Sequence, residues 1–301
     1  MNITNTMTSL KTLGECIKEY ISDRKKKSIY CVSFRTKNFG DCLNKLLIEE
    51  ITGLNTHIVH VNHLYNSVVG KIYAGKTLFT AIGSVMHYAP DGAFVWGTGC
   101  ISCTGIPKGR QKFLSVRGPM TAKALKGAGI ACPDIFGDPA LLYRRYIDIP
   151  TRPSKRFKIG IIPHMSEKSL NKVAKISGME GIRVIDIEGS IHDVVESILA
   201  CEKVFSSSLH GLIMCDVLEV PNSWVRFRDE FPGENFKFND YYSSVKDTEE
   251  TSLSPIFLES ETEIANFMKR ASAKACVHEH HLDLDLVVNV LNEHLKLIGM
   301  I

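Results

Sequence analysis

One pattern constrains the fold of this chain more than any other. Short apolar runs of strand length lead into glycine-bearing turns and then into helix-period patterns. The segment 28–34, Ser-Ile-Tyr-Cys-Val-Ser-Phe, is such a run, and Asn38-Phe39-Gly40-Asp41 is its turn. Leu43, Leu46, Leu47 and Ile51 then recur at helical spacing, with Gly53 where a helix would end. Further strands are expected at 58–61, 77–82, 93–96 and 113–116. The last enters Arg117-Gly118-Pro119, and Pro119 suits the first turn of a helix over 119–127. Strands alternating with helices in this way imply parallel, doubly wound sheets.

The pattern breaks once. Residues 149–156 are polar and proline-bearing, as a linker between domains is. The alternation then restarts, with strands expected at 157–162, 184–187, 203–205 and 224–227. Helices are expected at 168–176, 190–201 and 209–218. Ser190 with Asp193 three residues on resembles a capping box. An amphipathic helix is expected at 7–22, and two more in the last forty residues, broken near His278–His281. The expected fold class is α/β: two Rossmann-like doubly wound domains facing a central cleft. The first spans 1–150 and the second 151–260, with a helical tail over 261–301. Ligands of such sheets bind beyond the carboxyl ends of the strands.

Composition excludes several classes. A net charge of +3 in 301 residues is far from the basic stripe of a nucleic-acid binder. The basic run Arg24–Lys27 reads as a solvated loop. Nine cysteines form no disulfide framework, and reduced buried thiols in a cytoplasmic protein account for them. The lone Cys100-x-x-Cys103 lacks the second pair a zinc site needs. No apolar stretch is long enough to span a membrane, so at most peripheral contact at its inner face is expected.

The segment richest in chemistry is Val204-Phe205-Ser206-Ser207-Ser208-Leu209-His210-Gly211. An apolar strand ends in three hydroxyl residues and opens a helix. Hydroxyls and free N–H groups at a helix start can hold an anion, and a histidine there can deliver a proton. The residues alone allow an equal alternative, in which the serines cap the helix and His210 is polar surface.

This segment resembles the second-domain motif of the polysaccharide pyruvyltransferases, in their bacterial exopolysaccharide branch. Other blocks follow in the family's order. They are Asn38-Phe39-Gly40-Asp41 with Asn44, Gly97-Thr98-Gly99, Ser115-Val116-Arg117-Gly118-Pro119, Gly137-Asp138-Pro139-Ala140, Gly160–His164, and Phe236–Tyr242. The resemblance departs at Ser208, where many members carry arginine.

The resemblance implies a GT-B-like transferase that uses phosphoenolpyruvate as donor and needs no metal or other cofactor. The acceptor would be two hydroxyls of one sugar, in a saccharide free or lipid-linked, with no nucleic acid involved. A donor bearing carboxylate and phosphate calls for cations. Arg117 and Lys237 are assigned to it, with Ser207, Ser208, Gly97 and Gly99, and Lys237 is expected to offset the missing arginine. His210 is the expected general acid, and Asp41 or His164 the base. Asn38 and Asn44 are expected to hold the acceptor.

Each assignment has a plainer rival. Arg117 could bridge to a helix start, Asp41 could cap its helix, Asn38 and Asn44 could tie the turn together, and Gly97 and Gly99 could simply turn. Asp138 reads as a structural cap, and His278–His281 as a solvated turn. Two other functions also fit two βα domains around a cleft: a nucleotide-sugar glycosyltransferase, and a binding protein that has lost catalysis.

Overall fold

The computed structural model describes residues 27–34, 37–64, 69–104, 106–107, 109–151, 154–228, 235–246 and 254–301. The helix expected over 7–22 lies outside them.

Strand β1 (Ser28–Ser33) is buried along its whole length, as its unbroken apolar run requires. It pairs in parallel with β2 (Asn55–His60) on one side and β3 (Leu78–Thr80) on the other. Strands β4 (Phe94–Trp96) and β5 (Lys112–Ser115) extend the sheet beyond β3. Helix α1 (Phe39–Thr52) makes the crossover from β1 to β2. Asn38 caps its start by accepting from the Gly40 N–H, and Gly53 ends it in the left-handed region at φ 68°. Asp41 is therefore a first-turn residue rather than the cap. Helix α2 (Pro119–Gly127) follows β5 with Pro119 in its first turn.

The second sheet holds β6 (Phe157–Ile162), β7 (Ile182–Val184), β8 (Cys201–Ser206), β9 (Asn222–Arg226) and β10 (Ile256–Phe257), all paired in parallel. Its helices are α3 (Asn171–Ser177), α4 (Ile191–Leu199), α5 (Leu209–Val217) and α6 (Phe236–Tyr242). Strand β10, only two residues long, carries too little pattern to be expected from sequence.

The two sheets share one topology. The first runs β2-β1-β3-β4-β5 and the second β7-β6-β8-β9-β10. Counted within each sheet, both read 2-1-3-4-5, a doubly wound order. In that order the crossovers reverse between the first and third strands, where a crevice opens at the carboxyl ends. The fold therefore supplies two such switch points, at β1/β3 and at β6/β8.

A shared apolar core floors the cleft between the domains. Phe39, Leu43 and Leu47 of α1 pack in one cluster with Val194 and Ile198 of α4 and Leu212 and Ile213 of α5. The Phe39 N–H donates across the joint to the Ile187 carbonyl at 2.9 Å.

The last forty residues serve both sheets. Helix α7 (Ile264–Lys274) packs Phe267 and Ala271 against Phe227 and Ile256 of the second. Helix α8 (Leu284–Leu297) crosses back, and its Val287, Leu291 and Leu295 pack on Ile29, Phe79 and Trp96 of the first. The Trp96 indole donates to the Val287 carbonyl at 2.7 Å. Among the described residues, no helix is long and apolar enough to cross a membrane.

Between these helices the expectation of a solvated turn fails. His278 and His280 are turned inward onto Asp216 of α5, which is itself buried. Asp216 accepts from Asn222 Nδ2, the Tyr241 hydroxyl and the His278 backbone, at 2.7–3.0 Å. Burial alone would raise this carboxyl, but the bonds from His278 and His280 outweigh it and hold it at about 2. For His278, burial opposes the charge, and the Asp216 carboxylate overrides it and lifts the imidazole to about 10. The sequence does not show this burial, because the partner aspartate lies 62 residues away from His278.

Candidate active site

The carboxyl ends of the two switch points meet. A cavity of about 180 Å³ lies between them, lined from the first domain by Phe34, Asn38, Asp41, Gly83, Ser84, Val85 and Ile101. The second domain supplies His164, Met165, Ser208, Leu209, His210 and Lys237. All but Ile101, which follows β4, and Lys237, on α6, follow β1, β3, β6 and β8, so the position is set by topology. The volume is below the ~300–1,000 Å³ typical of drug-sized ligands and suits a small one. A larger hollow beside Pro119, Lys123 and Phe136 sits on the flank of α2, away from any switch point.

The second-domain motif divides its labour residue by residue. Ser206 Oγ accepts from the Ser208 N–H at 3.0 Å and locks the turn between β8 and α5. Gly211 brings α5 close to the sheet, since a Cβ there would lie 2.5 Å from Ser206 Oγ and 3.1 Å from Ile162. Ser207 Oγ accepts from the His164 N–H at 2.8 Å and donates to the buried Glu167 carboxylate. It is thus spent inside the protein, contrary to the donor-binding role expected of it. Ser208 is the N-cap residue of α5, makes no side-chain cap bond, and faces the cavity. His210, in the first turn, reaches the cavity wall with 13% of its side chain exposed.

The imidazole of His210 is held between the domains. A Cβ on Gly40 would fall 2.1 Å from Nδ1, so the ring lies flush on the start of α1. Its Nε2 is 3.7 Å from Asp138 Oδ2, and both atoms are buried without a hydrogen-bond partner. The other Asp138 oxygen accepts from the Ala140 N–H at 3.0 Å, the structural cap expected of it.

From the first domain, Asp41 accepts the Ser33 hydroxyl at 2.8 Å in the first turn of α1, where the helix dipole favours a carboxylate. Asn38 lines the cavity as the cap of that helix. His164 contacts Ser166 Oγ through Nδ1 at 2.8 Å. Lys237 sits in the first turn of α6 on the second-domain wall.

Four expected site residues turn away from the cavity. Arg117 is fully buried, and its guanidinium donates to Asp240, the Ser84 hydroxyl and the Cys100 carbonyl at 2.7–2.9 Å. Asp240 in turn accepts from the Thr121 N–H and hydroxyl at 2.7 Å, so the pair clamps α6 to the start of α2. The plainer reading of Arg117 as a bridge to a helix start is the one observed. Asn44 is also buried, accepting from Ile82 N and donating to the Ile82 carbonyl, which stitches α1 to the end of β3. Gly97, at φ 82°, makes room for Pro139, and Gly99 for the Arg117 guanidinium. Both glycines do permit a close approach, but of protein rather than ligand.

Sequence reasoning missed Ser84 and Val85, although Gly83-Ser84 directly follows an expected strand. Their signal was position at a switch point, which requires knowing the strand order. Among the described residues, no group of three or more His, Cys, Asp or Glu is placed to hold a metal ion.

Fold and site together define a two-domain α/β protein with a small pocket between paired switch points. Residues 108–227 match the family described as polysaccharide pyruvyl transferase. An uncharacterized protein of Acanthamoeba polyphaga mimivirus is 30% identical over 225 residues, covering 72% of this chain and 75% of that one. The succinoglycan biosynthesis protein ExoV of Rhizobium meliloti is 27% identical over 199 residues, covering 63% of this chain and 60% of ExoV. Among solved structures, the UDP-GlcNAc 2-epimerase of Methanocaldococcus jannaschii is similar at 11% identity with a TM-score of 0.47, over 90% of this chain and 100% of that one. The chain belongs to the polysaccharide pyruvyl transferase family.

Proposed function

We propose that the protein transfers a pyruvyl group from phosphoenolpyruvate onto two hydroxyls of one saccharide, forming a ketal and releasing phosphate. One observation carries this reading beyond family membership. The first turns of α1 and α5 open onto the same cavity, which His210 and Lys237 also line. Helix starts and a lysine suit a small dianion, and a histidine beside them suits proton delivery to it.

His210 is the general acid. It protonates the methylene carbon of the donor, which makes the adjacent carbon electrophilic. The first sugar hydroxyl adds there and loses its proton, and the second then displaces phosphate. Asp41 and His164, on opposite walls, are the candidates to take those protons. Lys237 and Ser208 hold the donor phosphate, and Asn38 faces the acceptor. General acid catalysis of this kind contributes about 10²–10⁴-fold.

The test is a donor panel. Purified protein with a saccharide acceptor should release phosphate from phosphoenolpyruvate and leave nucleotide sugars untouched. Turnover of a nucleotide sugar, with phosphoenolpyruvate inert, would overturn the reading.

A further inference from the structure

The arrangement around His210 assigns a role to Asp138 that a helix cap does not require. Asp138 Oδ1 does the capping, accepting from the Ala140 N–H at 3.0 Å. Asparagine would cap as well as aspartate at such a position. Yet the side chain is fully shielded from solvent, and Oδ2 has no hydrogen-bond partner. A buried carboxylate oxygen left bare is costly, so its surroundings call for an explanation. The charged partner within reach is His210 Nε2, at 3.7 Å from the other domain. That nitrogen is equally buried and equally bare. Two orphaned polar atoms of complementary chemistry therefore face each other across the domain joint. Roughly 1 Å of approach would make a charge-assisted hydrogen bond of ~2.7–2.9 Å.

We propose that Asp138 is a positioning residue for His210: its Oδ2 accepts Nε2–H, so the proton the ring delivers leaves from Nδ1. This rests on the pyruvyl-transfer reading for the identity of the reaction, but not for the contact itself. With Nε2 committed to Asp138, the nitrogen left for proton delivery is Nδ1, which lies over Gly40 at the start of α1, and His210 lines the cavity. The ring begins the reaction doubly protonated. Nδ1–H passes to the methylene carbon of the donor, leaving a neutral imidazole that keeps Nε2–H on Asp138. The ring recovers its proton from the group that takes it from the first sugar hydroxyl, Asp41 or His164. Asp138 keeps its negative charge throughout. A carboxylate that fixes the tautomer of a catalytic histidine is an established device, and its amide replacement inverts the tautomer.

The experiment is Asp138→Asn, which retains the cap and the shape. Its amide can accept from Ala140 and donate to His210 Nε2, which forces Nδ1–H. Two readouts are needed. The first is the nitrogen-15 spectrum of histidine-labelled protein without substrate, with the ring neutral and its signals assigned against His210→Gln. The native protein should show the Nε2–H tautomer at His210, and Asp138→Asn the Nδ1–H tautomer. The second is kinetics. Asp138→Asn should lower kcat by about 10²–10⁴-fold with the donor KM within threefold. A native Nδ1–H tautomer, or an Asp138→Asn enzyme with undiminished kcat, would overturn the proposal. A failure of the reaction reading looks different: the native protein would leave phosphoenolpyruvate untouched while the tautomer assignment stood.

Discussion

Arg117 and Asp240 form an ion pair sealed from solvent, with Nε 2.9 Å from Oδ2 and neither side chain exposed. Arg117 stands at the end of the first sheet and Asp240 on α6 of the second domain, so the pair is a bolt through the joint. Removing one partner strands a buried charge, which costs about 3–5 kcal/mol. Arg117→Ala should lower stability by that amount in chemical denaturation. A donor ligand would behave otherwise, since its loss would raise the donor KM in a protein of native stability.

Gly40 leaves the space that the His210 ring occupies. In Gly40→Ala the new Cβ would stand 2.1 Å from Nδ1, and the ring must move. Displacing a catalytic group by about 1 Å costs on the order of 10²-fold in rate. Steady-state kinetics should show that loss in kcat, and the melting temperature should stay near native, because alanine suits a helix better than glycine.

Lys237 lines the cavity from α6, and the proposed reaction gives it the donor phosphate. A charge-assisted contact to phosphate is worth about 1.5–3 kcal/mol, or roughly 10–100-fold in binding. Lys237→Ala should raise the donor KM by that factor. An unchanged KM would show that this lysine does not offset the arginine that the resemblance leads one to expect at Ser208.

The Asp216–His278 pair sets a pH dependence of stability. His278 is raised to about 10 in the folded protein, against 6.5 for the free side chain. Its contribution is therefore complete below pH 6.5 and is lost as pH climbs towards 10. Asp216 is lowered to about 2 from 3.8, so its contribution holds above pH 3.8 and is lost as pH falls through 2. The slope on the alkaline side is at most roughly 1.4 kcal/mol per pH unit for one proton. Denaturation midpoints measured from pH 6.5 to 10 should fall in the native protein, and fall less steeply in His278→Gln.

Local pattern made much of the fold legible. The strand Phe157–Ile162 and the helix Pro119–Gly127 begin and end where apolar run, proline and turn residues place them. Partnership was not legible. Arg117, Asn44, Gly97 and Ser207 carry the residue types of a ligand site, yet each meets a protein group distant in sequence. A glycine that makes room for a ligand and one that makes room for Pro139 look alike in a sequence. Asp138 is the converse case, where a cap motif accounted for one oxygen and hid the other. Nor could sequence show that α8 returns to the first sheet, because an amphipathic helix does not name the surface it covers.

The most direct test of the proposed reaction follows the donor carbon. Phosphoenolpyruvate labelled with carbon-13 at its methylene is incubated in deuterium oxide with the protein and a saccharide acceptor. The account predicts a ketal methyl signal on the saccharide carrying one deuteron, with one phosphate released per ketal, and loss of that signal in His210→Gln. Phosphate release with free pyruvate and no ketal, or a ketal formed undiminished by His210→Gln, would contradict it.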